Sequence, residues 1–390
     1  MNYNFDQIVS RRQTNSVKYD FAAKYGMPED ILPLWVADMD FPVASGIREA
    51  LRACADHGIF GYTEPGPEYV RALQNWYSSH FGFSIEPDWV VKTPGVVYAI
   101  VQAIRAFTAK GDSVLIQQPV YYPFARSIEE NHRRLVNNPL CCRDGHYTVD
   151  FQDFEDKILK NQVKLFVLCS PHNPVGRVWT REELQKMGEI CRRHQVLIVA
   201  DEIHSDFVYP GHTHTVFGAL GQEFLQNSVI CTAPSKTFNL AGLQVSNIII
   251  ANPRLRALFQ EECSRNGYSN LNTMGLAACQ AAYESGQEWL EQLKLYLQEN
   301  LKCMKDFLHT RLPQTVLTEP EGTYLVWVDF SKLGYSPKDL DRFMSRKARV
   351  WLDGGTMFGP GGEGFQRFNI ACPRSVLMEG LTRIASALKE

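Results

Sequence analysis

Long apolar runs, a basic leader, a regular cysteine spacing and an excess of either charge are all missing from this chain, and each absence removes a class of function. No uninterrupted hydrophobic stretch approaches the roughly 20 residues that carry a helix across a bilayer, so a membrane partner is not expected. Met1–Gln7 has neither a basic start followed by an apolar core nor an Arg- and Ser-rich amphipathic pattern, so no export or transit signal is expected. The 10 cysteines are scattered. Cys141 and Cys142 are adjacent, and Cys169, Cys231 and Cys279 lie inside apolar runs, a pattern of reduced core thiols rather than a disulfide framework or zinc ribbon. These readings predict a cytoplasmic protein. A formal charge of −3 gives no global attraction to nucleic acid. Internal repeats and low-complexity tracts are also missing, which excludes solenoid and linker architectures.

What is present is an ordinary globular composition, 45% hydrophobic and 21% charged, over 390 residues, enough for two domains and a core able to enclose a small molecule. Apolar runs at Ser113–Gln117, Leu165–Cys169, Val196–Ala200, Val229–Thr232 and Ser246–Ala251 read as buried strands alternating with helical stretches. Between two of them, Thr180–His194 carries acids early and bases late, as a helix dipole favours. The pattern predicts an α/β fold with a mostly parallel sheet. A helix starting near Gly95 or Val96 precedes the first of these strands, with Val97, Ile100, Val101, Ile104 and Phe107 at helical spacing. Beyond Asn266, Thr273–Ser285 and Trp289–Leu312 read as long helices. Strand-like Tyr324–Asp329, a short helix around Pro337–Arg346, strand-like Arg349–Leu352, a glycine-rich loop Gly354–Gly364, strand-like Gln366–Ala371 and a terminal helix predict a smaller α+β domain. The N-terminal segment joins it through a strand at Leu32–Val36.

Several of the expected strand ends carry chemistry. Lys236, in Ala233-Pro234-Ser235-Lys236-Thr237, lies just past one buried strand, and Asp201 ends an earlier one. A lysine that can form a Schiff base and a carboxylate that can keep a pyridine nitrogen protonated are what pyridoxal phosphate requires. A carboxylate at the end of an apolar strand needs a partner, and a pyridinium would be one; capping the next helix or pairing with an arginine are the alternatives. Thr93-Pro94-Gly95-Val96 before a helix offers free N–H groups to a phosphate, and Ser235 can add a hydroxyl, although a plain turn and a helix cap would read the same way. Tyr121 and Tyr122 sit at a strand's carboxyl end, where Tyr121 can stack on a ring or pack into the core. Asn173, in Ser170-Pro171-His172-Asn173-Pro174, can donate to a phenolic oxygen or simply belong to a proline-directed turn. Arg367 and Arg374 flank a strand near the C-terminus, and a guanidinium grips a carboxylate through two parallel bonds. His204, His212 and His214 lie near Asp201 and Asp206 without a tight ligand spacing, so no metal is expected.

Taken together, these motifs resemble the fold type I pyridoxal phosphate enzymes of the aspartate aminotransferase superfamily, and within it the cystathionine β-lyase group of carbon–sulfur lyases. The resemblance runs from Leu32–Pro42 through Gly61-Tyr62 to Cys372-Pro373-Arg374. It implies a transferase-like large domain at residues 45–285 with a mostly parallel mixed sheet, and a small domain formed by residues 1–44 and 286–390. It implies pyridoxal 5'-phosphate as cofactor, bound through Lys236, Asp201, Asn173, Tyr121, Gly95, Val96, Ser235 and His204, with Arg367 rather than Arg374 holding the substrate carboxylate. Tyr62 would reach the phosphate of a neighbouring subunit, so a homodimer with shared active sites is expected. The implied reaction is β-elimination from L-cystathionine or related S-substituted L-cysteines; the alternative is transamination. His204 stands where aspartate aminotransferase has a tyrosine, and Gln244 where it has a phosphate-binding arginine.

Overall fold

A computed structural model describes residues 2–268 and 270–389. Its centre is a seven-stranded sheet in the order Val90–Thr93, Ser246–Ile249, Ser228–Thr232, Leu197–Asp201, Val163–Cys169, Ser113–Ile116, Arg134–Asn137. Ser246–Ile249 runs antiparallel to both its neighbours, and every other adjacent pair is parallel. The α/β expectation is met, with one reversed strand making the sheet mixed. The central parallel strands are buried because helices cover both faces: Leu197–Asp201 and Ser228–Thr232 have no exposed residue.

The helices follow from local chemistry. Thr180 caps Arg181–Arg193 in a reciprocal pair, its hydroxyl accepting from Glu183 N while the Glu183 carboxylate accepts from Thr180 N. Thr273–Ser285 spans the expected residues, and Gln287–Arg311 forms the long helix. The helix Val96–Phe107 corrects one detail of the pattern. Its buried stripe is Val96, Ala99, Ile100, Ala103 and Ile104, whereas Val97 is 37% exposed. Ile100 and Ile104 lie in it as the spacing predicts, while small Ala residues rather than Val97 complete the close-packed side.

A second, antiparallel sheet is built from Val316–Leu317, Leu325–Asp329, Phe365–Asn369 and Asp353–Gly354. The N-terminal strand is shorter than expected: Leu32–Pro33 alone pairs with Val350–Trp351, in parallel. The following segment is held by main-chain bonds at Leu34 and Asp40 and by side chains between them. Asn369 Nδ2 donates to Val36 O and Asp38 O at 2.6 Å, and Asn239 Nδ2 donates to Met39 O and Phe41 O at 3.0 and 3.1 Å. These amides satisfy backbone carbonyls that no strand partner reaches. The segment is thereby fixed between the two sheets, against the cavity described next.

Candidate active site

The carboxyl ends of the parallel strands converge on a cavity of about 400 Å³. Ala37, Gly95, Val96, Tyr121, Asn173, Asp201, His204, Ser235, Lys236 and Gln244 are among its lining residues. Strand Leu197–Asp201 delivers Asp201, the turn after Val163–Cys169 delivers Asn173, and the turn after Ser228–Thr232 delivers Ser235 and Lys236. Open α/β sheets collect ligands at this edge because the loops leaving the strands diverge there.

Lys236 keeps some accessible surface because it opens into the cavity, while protein atoms enclose its Nζ, which donates to Ala37 O at 2.7 Å. Burial pushes its ammonium down to about 8, with Arg367 adding repulsion and Asp38 and Asp201 opposing the shift. That leaves about a tenth of the amine unprotonated at pH 7, far more than an ordinary lysine offers. Tyr324, fully buried, donates to the same Ala37 carbonyl at 3.0 Å. Thr237, next to the lysine, donates to buried Asp206 at 2.6 Å, and Trp76 Nε1 donates to the other oxygen at 3.0 Å, which ties the lysine's turn to the helix Pro67–Phe81.

Asp201 is 4% exposed and has no arginine partner among the described residues; its Oδ1 accepts only from Ile203 N, at 3.2 Å. Burial raises its carboxyl to about 7, against the pull of that N–H and of Lys236. A carboxylate left this poorly compensated has the use of a cation brought in from outside. His204 is held neutral by burial first, then by Lys236 and Arg367, and its Nδ1 finds no partner among the described residues. Tyr121 presents a half-buried ring whose phenol burial pushes upward. Its N–H donates to Asn173 O at 3.0 Å, locking the two loops together.

At the opposite side of this group, Arg367 is 2% exposed. Its Nη1 donates to Asn173 Oδ1 at 3.0 Å, its Nη2 donates to Trp35 O at 3.0 Å and to Asp353, and its guanidinium lies 4.9 Å from the Phe358 ring centre. Arg374 instead bonds Asn300 and covers Tyr296, away from the lysine's neighbours. The helix Val96–Phe107 begins without a side-chain cap, leaving its first N–H groups directed into the cavity. A Cβ placed on Gly95 would meet no protein atom, so the space beside that backbone is open.

Ten of the residues singled out in the sequence were Lys236, Asp201, Asn173, Tyr121, Gly95, Val96, Ser235, His204, Arg367 and Tyr62. All but Tyr62 meet in or beside this cavity. Tyr62 is fully exposed in a segment with exposed Ile59 and Phe60. The sequence reading missed Ala37 O, Tyr324 and Asp353. The first is a backbone atom and the other two become neighbours only through the second sheet, so no local motif marks them. No group of His, Cys, Asp and Glu among the described residues is arranged to hold a metal ion.

Comparison with known proteins places the fold in a family. A family model described as aminotransferase class I and II matches residues 29–384. Cystathionine beta-lyase PatB of Bacillus subtilis is 46% identical over 385 residues, 99% of this chain and 100% of its own length. Cystalysin from Treponema denticola, a structure containing pyridoxal 5'-phosphate, superimposes with a TM-score of 0.97 at 39% identity, covering 100% of this chain and 99% of that one. The pyridoxal-phosphate-bound C–S lyase from Staphylococcus hominis gives 0.93 at 35% identity, covering 100% and 99%.

Proposed function

We propose the activity from one premise: this chain belongs to the aminotransferase class I and II family. It is a pyridoxal 5'-phosphate-dependent carbon–sulfur β-lyase that converts L-cystathionine or related S-substituted L-cysteines to a thiol, pyruvate and ammonia. The observation that carries this reading is full-length similarity to proteins named as C–S lyases, joined to an enclosed amine, an uncompensated carboxylate and a guanidinium around one cavity.

The residues present fit the cofactor. Lys236 supplies the amine for a carbonyl, Asp201 a charge for a protonated ring nitrogen, Asn173 a donor for a phenolic oxygen, and Tyr121 a ring to stack against. The open space at Gly95, the uncapped start of Val96–Phe107 and Ser235 suit a phosphate. His204, neutral and with an orphaned Nδ1, can donate or accept beside the ring without adding charge. When bound, pyridoxal phosphate supplies an electron sink that acidifies the α-hydrogen of an amino acid.

Arg367 binds the α-carboxylate, and Lys236 Nζ takes the α-proton; the ammonium so formed is held by the Ala37 carbonyl. The Cβ–S bond then breaks, the thiol leaves with a proton, and water converts the three-carbon remainder to pyruvate and ammonia.

Transamination uses the same lysine and the same α-proton, and the family's description favours it as the second reading. The deciding measurement is pyruvate release from L-cystathionine by holoenzyme with no 2-oxo acid added. Steady multiple turnover supports the lyase, whereas silence until an amino donor and a 2-oxo acid are supplied assigns an aminotransferase.

The protein works in the cytoplasm as a homodimer with shared active sites, in which Tyr62 reaches the neighbour's phosphate. Ten free thiols, the lack among the described residues of any helix long and apolar enough to cross a membrane, and the exposed Ile59, Phe60 and Tyr62 support this. The large domain spans residues 45–285 and the small one residues 1–44 and 286–390, in keeping with the separate seven- and four-stranded sheets.

A further inference from the structure

The carboxylate anchor is already holding a carboxylate. Asp353, 6% exposed, stands directly across from Arg367 in the antiparallel pairing of Asp353–Gly354 with Phe365–Asn369, and its Oδ2 accepts from Arg367 Nη2. The other Nη2 hydrogen goes to Trp35 O at 3.0 Å, and Nη1 gives one hydrogen to Asn173 Oδ1. What stays free among the described residues is Nε, buried and without a partner, and one Nη1 hydrogen. A planar guanidinium offers an anion two forked faces, Nε with Nη2 and Nη1 with Nη2. Both include Nη2. A two-pronged grip on an incoming carboxylate therefore requires Asp353 or the Trp35 carbonyl to let go.

We propose that Asp353 is a specificity-determining residue: a resident carboxylate that competes with the substrate's own for Arg367 and sets how strongly the site takes a carboxylate. This rests on the reading of Arg367 as the substrate anchor. Among the described residues Asp353 accepts from no donor except Arg367. Its displacement leaves a buried carboxylate unpaired, and that cost lowers the affinity of the site for any carboxylate ligand. The pair also makes the anchor near neutral before substrate arrives, so an incoming α-carboxylate meets no net positive charge there.

The test is an acetate titration of the apoprotein, with sodium chloride at equal ionic strength as reference, reading the melting temperature of wild type and Asp353→Asn. The variant is expected to show the same acetate-induced rise in melting temperature at about tenfold lower concentration, the loss of one competing charge-assisted interaction. Adding Arg367→Gln to the variant is expected to abolish that response. Equal or weaker acetate sensitivity in Asp353→Asn, or a response that survives Arg367→Gln, overturns the proposal. If Asp353→Asn does not fold, Asp353→Ser takes its place. In holoenzyme, Asp353→Asn is expected to lower KM for L-cystathionine without raising kcat, and an unchanged or higher KM counts against the proposal. Should the lyase reading itself fail, that assay is silent for wild type too, while the acetate titration still decides.

Discussion

Two groups of buried charge sit on either side of Ala37, and they are finished differently. On the N-terminal side every charge is matched. Arg11 grips Asp38 at 2.6 Å and Asp40 at 2.9 Å, Lys18 meets Asp40 at 2.9 Å, and the Tyr19 hydroxyl donates to Asp40 at 3.0 Å. On the cavity side, among the described residues, Asp201 has one backbone donor, Lys236 one backbone acceptor and His204 an Nδ1 without a partner. Burying charge costs desolvation in both places, less for the partly exposed Arg11 and Asp38. The first group offsets it internally and holds the chain in position; the second is offset only when something else binds. Incomplete pairing, rather than burial or charge alone, distinguishes the reactive cluster from the structural one.

The largest expected break comes from Lys236→Ala. Pyruvate release should fall by at least about 10²–10⁴-fold from lost proton transfer alone, with little change in the apoprotein's melting temperature, because among the described residues the amine makes one hydrogen bond. Intact turnover would remove Lys236 from the chemistry. Asp40→Asn should do the reverse: it leaves Lys18 buried with its main partner neutralised and should cost about 3–5 kcal/mol of unfolding free energy, read by urea denaturation. An effect below about 1 kcal/mol would mean that the matched cluster contributes no more than a surface pair.

Asp201→Asn sharpens the contrast through pH. The folded carboxyl is raised to about 7 from its ordinary 3.8, so the apoprotein holds a proton that the unfolded chain has lost. The associated stability is fully present below the unfolded value and lost as pH rises through about 7. Asp201→Asn apoprotein should accordingly be more stable than wild type at pH 8, by on the order of 2–4 kcal/mol, and the gap should shrink toward pH 4. A gap that does not vary with pH would show that Asp201 is not the titrating group. The smallest effect belongs to a site far from both clusters: Thr180→Ala removes a helix cap and should cost about 1 kcal/mol, leaving pyruvate release unchanged.

The fold was legible wherever one element carried its own signal. The strand ending at Asp201 is an unbroken apolar run, Thr273–Ser285 has its cap and period in a single stretch, and the mixed sheet follows from their alternation. Val97 was misread because helical spacing identifies a stripe of large side chains and not which stripe is pressed against small ones. Leu32–Val36 was read as a longer strand than Leu32–Pro33 because apolar content does not reveal that Asn369 and Asn239 replace a strand partner.

The same division runs through the site. By itself the sequence determined the chemical types available and their attachment to strand ends: the amine of Lys236, the carboxylate of Asp201, the amide of Asn173 and the guanidinium of Arg367. Local rules of strand, turn and cap suffice for that, since each residue lies beside its own signal. Only the tertiary structure decided that Ala37 O receives the lysine, that Tyr324 shares that carbonyl, and that Asp353 occupies Arg367. These contacts join residues separated by 199, 287 and 14 positions, and burial then sets the ionisation of what they leave unpaired. Proton affinity inside a protein depends on all the dipoles and charges that the complete fold brings within reach, and that sum has no counterpart in a linear motif.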